Sequence, residues 1–206
     1  MQNILGLCSA YSLLYGVHKA GKLLDRAHSF GAKTVSICDL NNLYGVHTFI
    51  EAAKERKIRP IIGAALTAGE SCNPAAYCFV ENRAGFGRLC EILTERSKDK
   101  KNFNPLPFLR EDAGGLVLVS HNAEALEYLS GRVKRLYAAV TPTDIRAAGA
   151  GRRLNIPLAF LDNSLFLAKA PLEPGRCPKS LKTCSDTSLN AVFSYRFKET
   201  GENTSD

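Results

Sequence analysis

No stretch of this sequence is long and apolar enough to cross a bilayer. Lys, Arg, Asp or Glu interrupts every run before the roughly 20 residues that a spanning helix needs. The N-terminus also lacks the basic stretch that opens a secretory signal, and the apolar residues from Leu13 to Tyr15 give way at once to Gly16, His18 and Lys19. Neither a membrane span nor a leader is expected, and the chain reads as cytoplasmic. Proline and glycine are modest at nine and 16 of 206 residues, which excludes fibrous and low-complexity classes. The seven cysteines form an odd set without a compact spacing framework. Most lie in apolar runs, where a reduced thiol packs as a small apolar group.

What is present suits a globular protein of one ordinary domain: 45% of residues are apolar and 23% charged. The net charge of +7, from 27 Lys and Arg against 20 Asp and Glu, permits a nucleic-acid partner. The basic residues are spread along the chain, so charge alone locates no groove.

Apolar runs rich in β-formers alternate with helical patterns, the signature of a parallel α/β fold. Seven strands are expected, at Asn3–Leu7, Thr34–Cys38, Pro60–Leu66, Ala76–Val80, Leu116–Ser120, Val133–Val140 and Leu158–Leu161. Ala20, Leu23, Leu24, Ala27 and Phe30 recur at helical spacing, and Gly31 stands where a C-terminal cap belongs. Further helices are expected around 46–53, 84–96, after Asn122, and over 143–154, with Asn122 and Thr143 as N-caps. The polar, proline-punctuated segment 99–107 reads as a loop.

In a barrel of parallel strands the strand-to-helix loops gather at the C-terminal ends, where chemistry resides. After the first strand comes LGLCSAYSLLYG, after the second ICDLNNLYG, and at the third RPIIGAAL. These three motifs, in this order, resemble the N-terminal PHP (polymerase and histidinol phosphatase) domain of bacterial DNA polymerase III alpha subunits and error-prone polymerases. The resemblance continues through AYCFVENRAGFGRLCEIL, GGLVLVS and IPLAFLDNSLFLA, and so covers roughly residues 3–168. It implies a distorted (β/α)7 barrel, which need not be complete, over a PHP-like domain at 1–170. Residues 171–206 then form a poorly packed tail, in which Cys177 and Cys184 are a weak zinc candidate.

The family's metal-binding form carries a His-x-His pair, an Asp-His, a Glu and a late Asp-x-His. Here those positions fall on Gly6 and Cys8, on Asp39 and Leu40, on Ala65, and on Asn163 and Leu165. Asp39 is the only retained ligand position and Cys8 a weak candidate. Glycine, leucine and alanine cannot coordinate, whereas hydrolysis by this chemistry needs several imidazoles and carboxylates around the metal ions. As the remnant of a ligand set, Asp39 is expected to tolerate replacement by Asn without loss of folding. Tyr11, Ser12, Asn42 and Gly45 match the family pattern and read as loop architecture. His18, His28, His47 and His121 do not rebuild a cluster, and Gly85-Phe86-Gly87 lacks the third glycine and the lysine of a nucleotide loop.

The reading is a catalytically silent structural or docking module linked to DNA replication or repair, with no cofactor expected. By resemblance its partners are polymerase subunits or a proofreading exonuclease, and DNA is permitted. The alternative is a metal-dependent phosphoesterase or 3'-5' exonuclease using zinc, manganese or magnesium. Polymerisation needs clustered palm carboxylates for two metals, and no palm is expected in this sequence, so primer extension by this chain is not expected.

Overall fold

The computed structural model describes residues 2–13, 15–141 and 145–161. In chain order the elements are β1 (Gln2–Leu7), α1 (Ala20–Ser29), β2 (Ala32–Leu40), α2 (Val46–Glu55), β3 (Arg59–Thr67), β4 (Pro74–Val80), α3 (Arg83–Lys98), α4 (Pro105–Glu111), β5 (Leu116–Ser120), α5 (Ala123–Leu129), β6 (Leu136–Val140), α6 (Arg146–Arg153) and β7 (Leu158–Phe160). Thr143 and the tail at 171–206 lie outside the described residues, as do Asn163 and Leu165.

The strands form one sheet in sequence order, β1 to β7. It curls nearly to closure. A Cβ added to Gly6 of β1 would lie 3.4 Å from Leu161 Cδ2, just beyond β7. Packing divides accordingly into three clusters. Cys38, Ile61, Ala65, Tyr77, Phe79, Val117, Val119, Ala139, Ala159 and Leu161 come from strands or their ends and fill the barrel interior. Helices α1 and α2 cover β1 and β2 through Leu23, Leu24, Phe49 and Ala53. The remaining helices cover the middle strands through Leu89, Ile92, Leu109, Leu126 and Leu129. The alternation along each strand, one residue inward and the next toward a helix, follows from the period of two.

One expectation needs correction. The sheet is not wholly parallel: β4 runs antiparallel to both β3 and β5, while every other neighbouring pair is parallel. The cause lies in the connection. Residues 68–73 are too few for the crossover of a dozen or more residues that a parallel pair requires, so the chain can only turn back. A second correction concerns 99–107. The loop ends at Asn104, whose side chain accepts from Leu106 N at 3.1 Å and caps α4. Pro105 then takes the first helical position, where its missing N–H costs nothing. Phe103 and Phe108 stack at 5.6 Å, and Leu109 is fully buried, so this short helix is held by packing.

The other helix ends follow their local chemistry. Asn82 and Asn122 accept from Gly85 N and Ala125 N and so cap α3 and α5. Gly31, at φ +71°, lets the chain turn out of α1 into β2.

Leu118, central in β5 and wholly buried, provides a test of this packing. Leu118→Ala should lower stability by about 2–5 kcal/mol, read as a drop in the urea midpoint with the slope unchanged.

Candidate functional site

The mouth of the barrel is built on a buried carboxylate. Asp39 lies near the C-terminal end of β2 and is only 2% exposed. Its Oδ1 accepts from Ser9 N at 2.7 Å and from Ser12 Oγ at 2.8 Å, and its Oδ2 accepts from Ser9 Oγ at 2.8 Å. Removing a carboxylate from water is costly unless donors replace the hydration, and here the β1–α1 loop supplies them. Ser12 Oγ also accepts from Leu40 N at 2.8 Å, which ties the loop back to β2.

The neighbouring loop joins the same network. Asn42 donates to Leu40 O at 2.9 Å and to Tyr11 O at 3.2 Å, and its side-chain oxygen accepts from Tyr44 N. Asn41, at φ +57°, exchanges hydrogen bonds with Thr67 of β3: Thr67 N donates to Asn41 Oδ1 at 2.9 Å, and Asn41 Nδ2 donates to Thr67 Oγ1 at 3.0 Å. Gly45, where α2 begins, comes so close that a Cβ would sit 2.8 Å from Tyr11 Cδ2 and 2.9 Å from Asp39 Oδ2. Tyr11, Ser12, Asp39, Asn42 and Gly45 are therefore brought together as one hydrogen-bonded and packed assembly.

The remaining positions face a different environment. Leu40 pairs in register with Ala65, and Ala65 with Tyr77. All three belong to or pack against the apolar interior cluster, on the face of β2 opposite Asp39. Gly6 has φ +87°, a conformation that L side chains rarely adopt, and its N–H donates to Ser36 Oγ at 2.7 Å. The β1–β2 register shifts around it, between Ile4 and Leu7. Glycine, leucine and alanine at positions 6, 40 and 65 offer no side-chain donor atoms.

Cys8 is half-buried. Burial, the largest cause, pushes its thiol up to about 11; a hydrogen bond with Ser12 acts in the opposite direction, and the Asp39 charge raises it further. The interior Cys38 and the outward-packed Cys78 are likewise raised by burial. His121 lies at the mouth with its ring centroid 6.0 Å from that of Tyr77. Among the described residues, no three His, Cys, Asp or Glu side chains come together as a metal-holding group.

Sequence reasoning missed Ser9, Thr67 and Ser36. The spacing of Ser9 and Ser12 around a tight loop was the available signal for the first. Gly16 confirms how tight that loop is, since a Cβ there would overlap Ser9 O at 1.6 Å.

A nearly closed, seven-stranded barrel with this loop assembly at its mouth defines a class, and the PHP domain model matches residues 5–144. The chain belongs to the PHP domain family. Among its relatives, the error-prone DNA polymerase of Corynebacterium efficiens is 30% identical over 112 residues, 52% of this chain and 10% of that protein. The DNA polymerase III subunit alpha of Neisseria meningitidis is 29% identical over 126 residues, 56% of this chain and 11% of that protein. The match thus spans about a tenth of either relative's length. In fold, the chain is similar to a protein from Bifidobacterium adolescentis whose description as a metal-dependent phosphoesterase is itself provisional. The TM-score is 0.54 at 12% identity, covering 77% of this chain and 85% of the other.

The Asp39 network alters the expectation for Asp39→Asn. An amide presents one acceptor oxygen where three donors converge, so folding should suffer. Asp39→Ala, which leaves the buried Ser9 N–H unpaired, should cost about 2 kcal/mol or more, and Asp39→Asn less, both read by chemical denaturation. The thiols make a second prediction. A folded-state pKa raised above the unfolded value of 9.0 means that stability is fully present below pH 9 and is lost as pH rises through about 11. Cys8→Ala should reduce that alkaline loss, measured as melting temperature against pH.

Proposed function

We propose that this PHP domain is catalytically silent and serves as a structural and docking module for a DNA polymerase assembly. The observation that carries the reading is Gly6. The backbone at a position where the metal-binding form has histidine adopts φ +87°, so the departure lies in the main chain as well as in the side chain. A histidine there would be strained by about 1–3 kcal/mol. Leu40 and Ala65 support the same reading, because the space that ligands would occupy belongs to an apolar interior. Asp39 has both oxygens engaged by the loop, and the Cys8 thiol is held protonated at neutral pH. These residues do not fit a multinuclear hydrolytic centre, so no catalytic step is assigned to them.

A docking role is favoured by the rim. Leu13 and Tyr44 are 80% and 78% exposed on the two loops that the Asp39 network joins, and offer a partner two apolar side chains to cover. The fitting partner is a polymerase subunit or a proofreading exonuclease, reasoned from the relatives.

Two measurements test the reading. Protein purified without chelator should contain less than about 0.1 zinc, manganese or magnesium ion per chain by elemental analysis, against the two or more of a working centre. It should hydrolyse neither p-nitrophenyl phosphate nor single-stranded DNA when Mn, Zn or Mg is supplied. Stoichiometric metal together with turnover lost in Asp39→Ala or Cys8→Ala would establish the metal-dependent phosphoesterase instead.

A further inference from the structure

The barrel has a second end, where all strands but β4 begin and where β4, running antiparallel, finishes. The register carries a set of cations there. Thr34 of β2 is paired with Arg59 of β3, so Lys33 and Arg59 are near neighbours. The β3–β4 register, in which Gly63 faces Phe79, leads outward to Arg59 on one strand and Arg83 on the other. Glu81 N donates to Gly115 O at the start of β5, and Leu118 N to Arg135 O at the start of β6. Lys33, Lys57, Arg59, Arg83, Lys134 and Arg135 are thereby assembled on one rim, all of them exposed.

The acids that the helix ends and loops bring to this end are Glu55, Glu81, Glu111 and Asp112, and Glu55 forms an ion pair with Arg56 at 3.1 Å. Glu81 is already held by Arg135, whose Nη1 forms an ion pair with its Oε1. Between β3 and β4 the rim opens into a cavity of about 170 Å³ lined by Arg59, Pro60, Ile61, Ile62, Val80 and Glu81.

Helix stability accounts for Lys57, which follows the C-cap of α2, but not for Lys33, Arg83, Lys134 and Arg135. Basic residues at helix C-termini offset the negative end of the dipole, which explains Lys54, Arg152 and Arg153. Arg83 is the opposite case: it is the first residue of α3, whose first turn contains no acid. A cation there opposes the positive end of the dipole. Lys33, Lys134 and Arg135 flank or begin strands and gain nothing from a helix.

We propose that this rim, opposite the mouth, binds the sugar-phosphate backbone of nucleic acid. Arginine forks suit phosphate oxygens, and Arg59 and Arg83 bring two to the rim, the guanidinium of Arg135 being engaged by Glu81. The rim cations span β2 to β6, four strand spacings of about 4.8 Å, or about 19 Å along the curved sheet. Along one strand of duplex at about 3.4 Å per nucleotide, that arc meets about five or six phosphates. The binding is to the backbone and independent of base sequence. It is also independent of the reading of the mouth, since it uses none of the residues there.

The test is fluorescence anisotropy of the full chain with a labelled 20-base-pair DNA duplex, over salt from about 50 to 200 mM. The rim variant R59E/R83E/K134E is compared with K19E/K100E/K101E, which carries the same charge change at the other end. The rim variant should weaken binding about tenfold or more and lower the slope of log K against log salt by about 2–3, at about 0.9 for each phosphate no longer neutralised. The other variant should change affinity less than about threefold, since its three lysines neutralise no phosphate in this arrangement. Equal weakening in both variants, reflecting net charge alone, would overturn the proposal. So would a wild-type chain that ignores DNA at 50 mM salt, whether or not it binds an acidic peptide. Circular dichroism checks the fold, and if the glutamate variant does not fold, R59Q/R83Q/K134Q reads the same change in slope.

Discussion

The mouth of this barrel depends on where the charge of Asp39 goes. A carboxylate buried to 2% exposure must find donors inside the protein, and it finds them on a loop 27 to 30 residues earlier in the chain. That requirement sets the path of residues 9–12. Their path in turn allows Ser12 to reach Leu40 N, Asn42 to reach Tyr11 O, and the start of α2 to approach so closely that only glycine fits at position 45. The β1 and β2 loops thus behave as one unit, and β3 is joined to it through Asn41 and Thr67.

The strands and most helices were legible because burial imposes periodicities of two and 3.6 on sequence. Leu116–Ser120 and the Ala20, Leu23, Leu24, Ala27 stripe emerge as elements in the places that their patterns indicate. Direction is another matter, since an apolar run carries no arrow. The reversal of β4 was readable only from the shortness of 68–73. Helix α4 was hidden because Pro105 and Pro107 read as breakers unless Asn104 is recognised as a cap and Pro105 as the first helical residue.

The site was legible to a different degree. Motif order identified the family and the positions that matter, and it singled out Tyr11, Ser12 and Asn42, which lie in the Asp39 assembly. What could not be read was how Asp39 is used. A motif gives a residue's identity and not its face: Asp39 and Leu40 are adjacent in sequence but lie on opposite sides of β2. Nor could the letter G at position 6 reveal φ +87°, which depends on the irregular pairing of β1 with β2.

That division of faces gives a physical account of which positions still carry family-like residues. Position 39 holds loops together, so an apolar residue there would leave the Ser9 N–H and two serine hydroxyls without their acceptor. Positions 40 and 65 point into an interior where Leu161, Tyr77 and Val119 are already buried. Apolar residues there add buried area, at about 25 cal/mol per Å² removed from water, and leave no buried charge to be compensated. The interior cluster gives the strand ends their cohesion, with Leu161 against Gly6 closing the seam between β7 and β1.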